Sequence, residues 1–283
     1  MPTMAKNKPY QLGLYEKAMP ITLTWEEKLS TAKAAGFDYV EISIDETDAK
    51  LARLDDENTV KELKAAIEKT GVPVLSMCLS GHRKYPLGSH DPKTQERALE
   101  IMEKACVLSV KLGIRIIQLA GYDVYYEERD ESTVKNFSLN LKRCVQLASK
   151  YGVILAFETM ETLFMDTARK AMTYVDENDS PYLQIYPDLG NLTNASRISK
   201  ISVEDDLISA RGHIVAAHLK EIVEGKYREI PYGTGDTAYE ESIRELKKQG
   251  VSLFVGEFWY VGNPAWKDDL SFANDYLRKI IEA

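Results

Sequence analysis

The sequence is poor in the features that mark several common protein classes. It has three cysteines, Cys78, Cys106 and Cys144, and no two are closely spaced. So sparse and odd a set argues against a disulfide framework and implies reduced, buried thiols in a cytoplasmic protein. No apolar run approaches the roughly 20 residues that a membrane span requires. The first eight residues, Met1 to Lys8, carry no apolar stretch after their charges, so they do not read as a secretory signal. A basic excess is absent too: 36 Lys and Arg face 44 Asp and Glu, a net charge of −8. That argues against a nucleic-acid partner, which usually requires a basic face, but leaves room for an anionic small molecule held by a local cluster. No Gly-x-Gly-x-x-Gly follows the first apolar run, so a dinucleotide-binding fold has no support. No linker or low-complexity segment divides the chain, and residues 1–283 are expected to form a single domain.

What the sequence does have is alternation. Short runs rich in Val, Ile and Leu alternate with longer segments of helical period. Eight strands are expected: Gln11–Tyr15, Tyr39–Ile44, Pro73–Leu79, Arg115–Ala120, Val153–Glu158, Leu183–Asp188, Ile214–Leu219 and Ser252–Phe258. Thr24 and Glu27 form a capping box ahead of a helix to Ala35. Pro92 sits at the first position of a helix running to about Leu112, and another spans Glu131 to Tyr151. Helix, glycine, strand recurs at Gly36, Gly71, Gly113, Gly152 and Gly250, the loop signature of parallel βαβ units. Several strands are apolar almost throughout, as expected when both faces are covered. Eight such units close most naturally into an α/β fold of one class, a single (β/α)8 TIM barrel; an open doubly wound sheet is the alternative.

In a barrel the site forms at the C-terminal ends of the strands. Four consecutive strands end in Glu158, Asp188, His218 and Glu257. Buried carboxylates are costly unless paired or bound to a cation. Any one of the four could be a salt-bridge partner or a structural residue. As a set on adjacent strands at one height, they point to ligands for a single divalent metal ion. Three carboxylates favour Mn or Mg, while the imidazole suits Zn. Of the four histidines, His82, His90, His213 and His218, only His218 falls at the top of a strand.

The contexts Ala156-Phe157-Glu158-Thr159, Tyr186-Pro187-Asp188-Leu189, Ala216-Ala217-His218-Leu219-Lys220 and Val255-Gly256-Glu257-Phe258-Trp259 resemble the xylose-isomerase-like barrel superfamily. The stretches near Leu12-Gly13-Leu14-Tyr15-Glu16-Lys17, Ser43 to Asp48, Ser76 to Ser80, Tyr85 to Ser89 and Ile117 to Tyr126 are similar to a narrower family, the L-ribulose-5-phosphate (L-xylulose-5-phosphate) 3-epimerases of L-ascorbate catabolism. Two departures stand out: Lys220-Glu221 where the family often has Lys-Asp, and Thr159-Met160-Glu161 where it often has Ile-Met-Asp. The resemblance implies a homodimer and an isomerase that inverts C3 of a pentulose 5-phosphate through an enediolate. Removing a proton from one face and returning it on the other takes two groups, and Glu158 and Glu257 are the natural acid/base pair. The sugar-phosphate substrate needs cationic or amide donors. Candidates are His82, Arg83, Lys84 and Ser89 after the third strand, and Lys220 with the Tyr232-Gly233-Thr234-Gly235 loop after the seventh. Tyr15, Trp259 and Tyr260 are expected either to wall the pocket or to pack in the core. The same four ligands would also serve an isomerase or an epimerase of another ketose. A non-catalytic sugar-binding barrel would not need them intact, and an endonuclease of the superfamily would need more histidines.

Overall fold

A computed structural model describes residues 9–283; the segment Met1 to Lys8, read above for a signal peptide, lies outside them. Eight parallel strands are present: β1 Gln11–Tyr15, β2 Tyr39–Ile44, β3 Val74–Leu79, β4 Ile116–Ala120, β5 Ile154–Glu158, β6 Leu183–Ile185, β7 Ala217–Leu219 and β8 Leu253–Gly256. They are ordered β6-β5-β4-β3-β2-β1-β8-β7. The sheet curls until its edges meet, where isolated parallel pairs Ile185 with Ile214 and Asp188 with His218 join β6 to β7. This is the expected barrel.

Helices cover the outside: α1 Trp25–Ala34, α2 Asp48–Ala52, α3 Glu57–Thr70, α4 Pro92–Leu112, α5 Glu131–Tyr151, α6 Ala168–Asn178, α7 Leu189–Ser199, α8 Val203–Ser209, α9 Tyr239–Lys248 and α10 Trp266–Glu282. Local chemistry sets their ends as the sequence foretells. Thr24 and Glu27 make both bonds of the capping box, and Pro92 opens α4 behind the Asp91 cap. Gly71, Gly113 and Gly152 close α3, α4 and α5 in the left-handed region that an L side chain resists.

Two differences from the expected strands bear on the site. β6 is shorter because its chain leaves the ladder early, and β7 because its chain joins the ladder late. Asp188 turns to cap α7, its Oδ1 accepting from Asn191 N at 2.7 Å, and it keeps one bridge to His218 instead of a ladder.

Apart from a register shift between β2 and β3 at Val40/Glu41, the strands alternate. Val40, Ile42, Ile44, Met77, Leu79, Ile117, Leu119, Leu155 and Phe157 join the large core between sheet and helices. The residues between them point into the barrel, where a small separate cluster packs Tyr15, Tyr39, Cys78, Ile116, Ala156, Tyr186, Ala216 and Val255. Gly13 admits the Tyr39 ring there; a Cβ at that position would come within 2.4 Å of it. Continuing the same register upward, the inward positions are Glu158 after Ala156, Asp188 after Tyr186, His218 after Ala216 and Glu257 after Val255.

Candidate active site and metal centre

Glu158 is the last residue of β5, His218 sits in β7, Asp188 caps α7, and Glu257 follows β8 with its N–H still bonded to Leu219 O at 3.0 Å. One ligand atom from each lies within 4.8 Å of all the others, and all four side chains are buried. His218 Nδ1 is 3.2 Å from Glu158 Oε1 and 3.5 Å from Glu257 Oε2. The Lys220 ammonium lies 2.8 Å from Asp188 Oδ2 and 3.4 Å from Glu257 Oε2. Neither of those oxygens has a donor aligned on it as a hydrogen bond, although both are sealed from solvent.

The electrostatics follow from crowding carboxylates in a dry place. Burial raises the Glu158 carboxyl above its usual range, and the charge of Glu257 adds to that. Burial pushes Asp188 up to about 7 even with Lys220 beside it. Glu257 is buried as well, yet Lys220 and His218 together hold it well below the usual carboxylate range. Burial works against the His218 imidazolium, but Glu41 and Glu257 outweigh it and raise its pKa.

The residues present fit a divalent cation. Glu41, Glu158, Asp188 and Glu257 put four carboxylates around one ammonium and one imidazole, an excess of negative charge that such an ion neutralises. The two oxygens without aligned donors, with Nδ1 of His218, offer it lone pairs. Three oxygens and one nitrogen are borderline-hard donors, a set that Mn, Mg or Zn accepts.

Sequence position alone did not reveal two contacts to this cluster. Glu41, in the middle of β2, is fully buried and accepts a hydrogen bond from His218 Nε2 at 2.6 Å. Gln118, on β4, donates its amide to Glu158 Oε2. Both occupy inward positions of apolar strands, so alternation is the signal that could have found them.

A cavity above the cluster is lined by Tyr15, Cys78, Arg83, Glu158, Lys220 and Glu257, with Lys17, Glu161, Tyr227, Arg228 and Trp259 among the residues of its wall. Tyr15 and Trp259 meet edge-on there, with ring centroids 6.1 Å apart. Tyr260 instead turns outward, 38% exposed and packed on Trp266. The three cysteines are buried and unbridged; Cys78 faces the cavity, and burial pushes its thiol far up the scale, away from thiolate chemistry.

The expected phosphate contacts separate. Arg83 reaches the cavity. Its guanidinium lies 4.8 Å from the Tyr125 ring centroid and 5.8 Å from that of Tyr122, and its Nε is buried without an acceptor. Lys220 reaches the cavity too, but is paired with Asp188. His82 and Ser89 do not line it. The short 3-10 turn Gly81–Arg83 throws the His82 ring back onto α4, where Nε2 bonds Ala98 O at 3.0 Å. Ser89 Oγ accepts from Asp91 N at 3.1 Å and braces the start of α4. Lys84 is exposed beside Asp48. Two amides of the Tyr232–Gly235 loop are committed, Gly233 N to Glu221 Oε2 at 2.9 Å and Thr234 N to Pro231 O at 3.2 Å, and just beyond the loop Glu221 Oε1 takes Thr237 N at 3.2 Å. The departure at Glu221 thus shapes a loop, while the one at Glu161 puts a carboxylate on the cavity wall, 3.2 Å from the Tyr122 hydroxyl.

Comparison with known proteins agrees with this geometry. Residues 29–279 match the family model of the xylose isomerase-like TIM barrel. L-ribulose-5-phosphate 3-epimerase UlaE of Salmonella paratyphi A is 41% identical over 276 residues, covering 96% of this chain and 95% of that protein. Among solved structures, D-psicose 3-epimerase of Clostridium cellulolyticum H10 superposes with a TM-score of 0.79 at 16% identity, covering 96% of this chain and all (100%) of that one. The 3-keto-D-glucoside 4-epimerase YcjR of E. coli does so with a TM-score of 0.74 at 21% identity, covering 94% and 99%. At such identities the structures speak for the fold alone. The homologues in sequence are carbohydrate epimerases, enzymes of the isomerase class. A buried Glu-Asp-His-Glu centre at the top of an eight-stranded barrel, in a chain related over nearly its whole length to one such epimerase, belongs to the xylose isomerase-like TIM barrel family and, within it, to the L-ribulose-5-phosphate 3-epimerases.

Proposed function

We propose that the protein interconverts L-xylulose 5-phosphate and L-ribulose 5-phosphate by moving the proton at C3. The observation that carries this reading is a pair of buried carboxylates, Glu158 and Glu257, brought to one cavity from β5 and β8 with the strands of the other two ligands between them. The C3–H bond of a 2-ketopentose is acidified by the neighbouring C2 carbonyl, and its loss leaves an enediolate. One carboxylate takes that proton, and the other delivers a proton to the opposite face, inverting C3. A divalent cation held by Glu158, Asp188, His218 and Glu257 supplies, when bound, stabilisation of the negative charge on the C2 and C3 oxygens. Gln118 fixes one Glu158 oxygen and leaves the other to face the cluster. Tyr15, Cys78 and Trp259 limit water around the reacting carbon. Arg83, held against Tyr122 and Tyr125 with no carboxylate in ion-pair range among the described residues, binds the 5-phosphate; Lys220 acts on the ligand carboxylates more than on substrate.

We infer with this reading that residues 1–283 form one domain, which the continuous core supports, and that the enzyme works in the cytoplasm as a homodimer. No helix among the described residues is long and apolar enough to cross a membrane.

Glu158→Gln and Glu257→Gln test the acid/base pair. Each variant is expected to lose turnover by on the order of 100-fold or more. Metal content and circular dichroism accompany the assay, because both residues are also ligands. Folded, metal-loaded variants with near-normal turnover would refute the two-carboxylate scheme.

A further inference from the structure

Glu41 is a buried carboxylate that the acid/base scheme leaves unused. It lies in the middle of β2, is 0% exposed, and points into the barrel beneath the ligand cluster. Every side of it is occupied. Oε1 accepts from His218 Nε2 at 2.6 Å, and Oε2 accepts from Ser76 Oγ at 2.6 Å and Tyr186 Oη at 2.9 Å. Among the described residues, His218 is its one cationic neighbour within ion-pair range.

We propose that Glu41 is a positioning residue for the metal centre: it takes the Nε2 proton of His218 as a hydrogen bond, so that Nδ1 carries the lone pair offered to the cation. The proposal rests on the cation-binding part of the reading above, and not on the substrate. The geometry sets which nitrogen is free to meet the cation. A carboxylate accepts but does not donate, so Nε2 facing Glu41 is an N–H. Nδ1 is the nitrogen inside the ligand cluster, 3.2 Å from Glu158 Oε1 and 3.5 Å from Glu257 Oε2, and a bound cation would take the place of any proton there. The Ser76 and Tyr186 hydroxyls hold the carboxylate in place, and the Tyr186 ring also packs 4.8 Å from the imidazole. Ring and carboxylate therefore have little room to turn. The Glu41 charge also makes the imidazole a better electron donor, as outer carboxylates do for histidine ligands generally. Glu41 is not itself a ligand, since it stands on the far side of the ring from the other three carboxylates.

Two measurements on the full-length protein decide this. The first replaces the native ion with 113Cd in protein carrying 15N-histidine. Cadmium–nitrogen coupling is expected at Nδ1 of His218, with Nε2 protonated; coupling at Nε2 would overturn the proposal. The second measures cation affinity by competition with a chromophoric chelator. Glu41→Ala is expected to weaken binding on the order of 10- to 100-fold, and Glu41→Gln, whose amide oxygen can still accept from Nε2, to recover part of that loss. A folded Glu41→Ala variant that binds within twofold of wild type would overturn the proposal. If that variant does not fold, the cadmium spectrum still decides, because it is read on the unmodified chain. Nδ1 coupling in a protein that epimerises nothing would refute the proposed reaction while leaving Glu41 in its role.

Discussion

His82 gives a sharp test of how the turn after β3 is built. Its ring is 7% exposed, and Nε2 donates to Ala98 O in α4. Burial pushes its pKa down from 6.5 to about 4. The folded protein thus keeps the imidazole neutral where the unfolded chain protonates it. With a folded pKa below the unfolded one, the stabilisation is complete above the unfolded value and drains away as pH falls toward the folded one. The full loss is roughly 3 kcal/mol, of which roughly 2 kcal/mol is gone by about pH 5. Carboxylates titrate over part of the same range, so the measurement is a difference. Urea unfolding of wild type and His82→Gln at about pH 7.5 and about pH 5 isolates the imidazole, because the Gln amide can still donate to Ala98 O but does not titrate. Wild type is expected to lose ~2 kcal/mol more than the variant between the two conditions. Equal losses would refute the buried neutral imidazole. KM for the pentulose phosphate is expected to stay unchanged in His82→Gln, and a rise would return His82 to the substrate contacts.

Glu16 is buried against Lys28, Lys50 and Arg53, and although burial opposes it, those cations lower its pKa to about 2. Its stabilisation is therefore present above its unfolded pKa of 4.5 and is lost as pH falls through 2. Glu16→Gln leaves those cations without their carboxylate and is expected to cost about 3–5 kcal/mol in urea unfolding at neutral pH; a loss below 1 kcal/mol would contradict the cluster's role. Arg83→Ala is expected to raise KM for the 5-phosphate on the order of 10- to 100-fold, the worth of a charged hydrogen bond, with little change for the unphosphorylated pentulose. Equal losses on both would remove Arg83 from the phosphate.

Much of this was legible from pattern. Apolar runs located all eight strands, and strand ends located Glu158, Asp188, His218 and Glu257, because in a parallel barrel a polar residue ending a buried run has one place to go. Glu41 and Gln118 escaped that logic since they lie inside strands, where a lone polar residue looks like an interruption. Only the inside–outside alternation, which puts Glu41 in line with Tyr39 and Ser43, shows that it faces the histidine. The phosphate candidates could not be sorted from sequence, for the opposite reason. His82 and Arg83 are adjacent in sequence, but a 3-10 turn sends one ring to α4 and one guanidinium to the cavity, and no spacing rule says which. In the glycine loop, Glu221 holds the amide of Gly233.

Solvent deuterium entering C3 tests the central claim most directly. The enzyme is incubated with L-ribulose 5-phosphate in D2O and followed by proton NMR, before and after removal of divalent ions by a chelator. The account predicts deuterium at C3 of the epimerised product, loss of exchange with the chelator, and recovery when Mn, Mg or Zn is returned. Product that keeps its C3 proton, or exchange that survives complete removal of the metal, would contradict it.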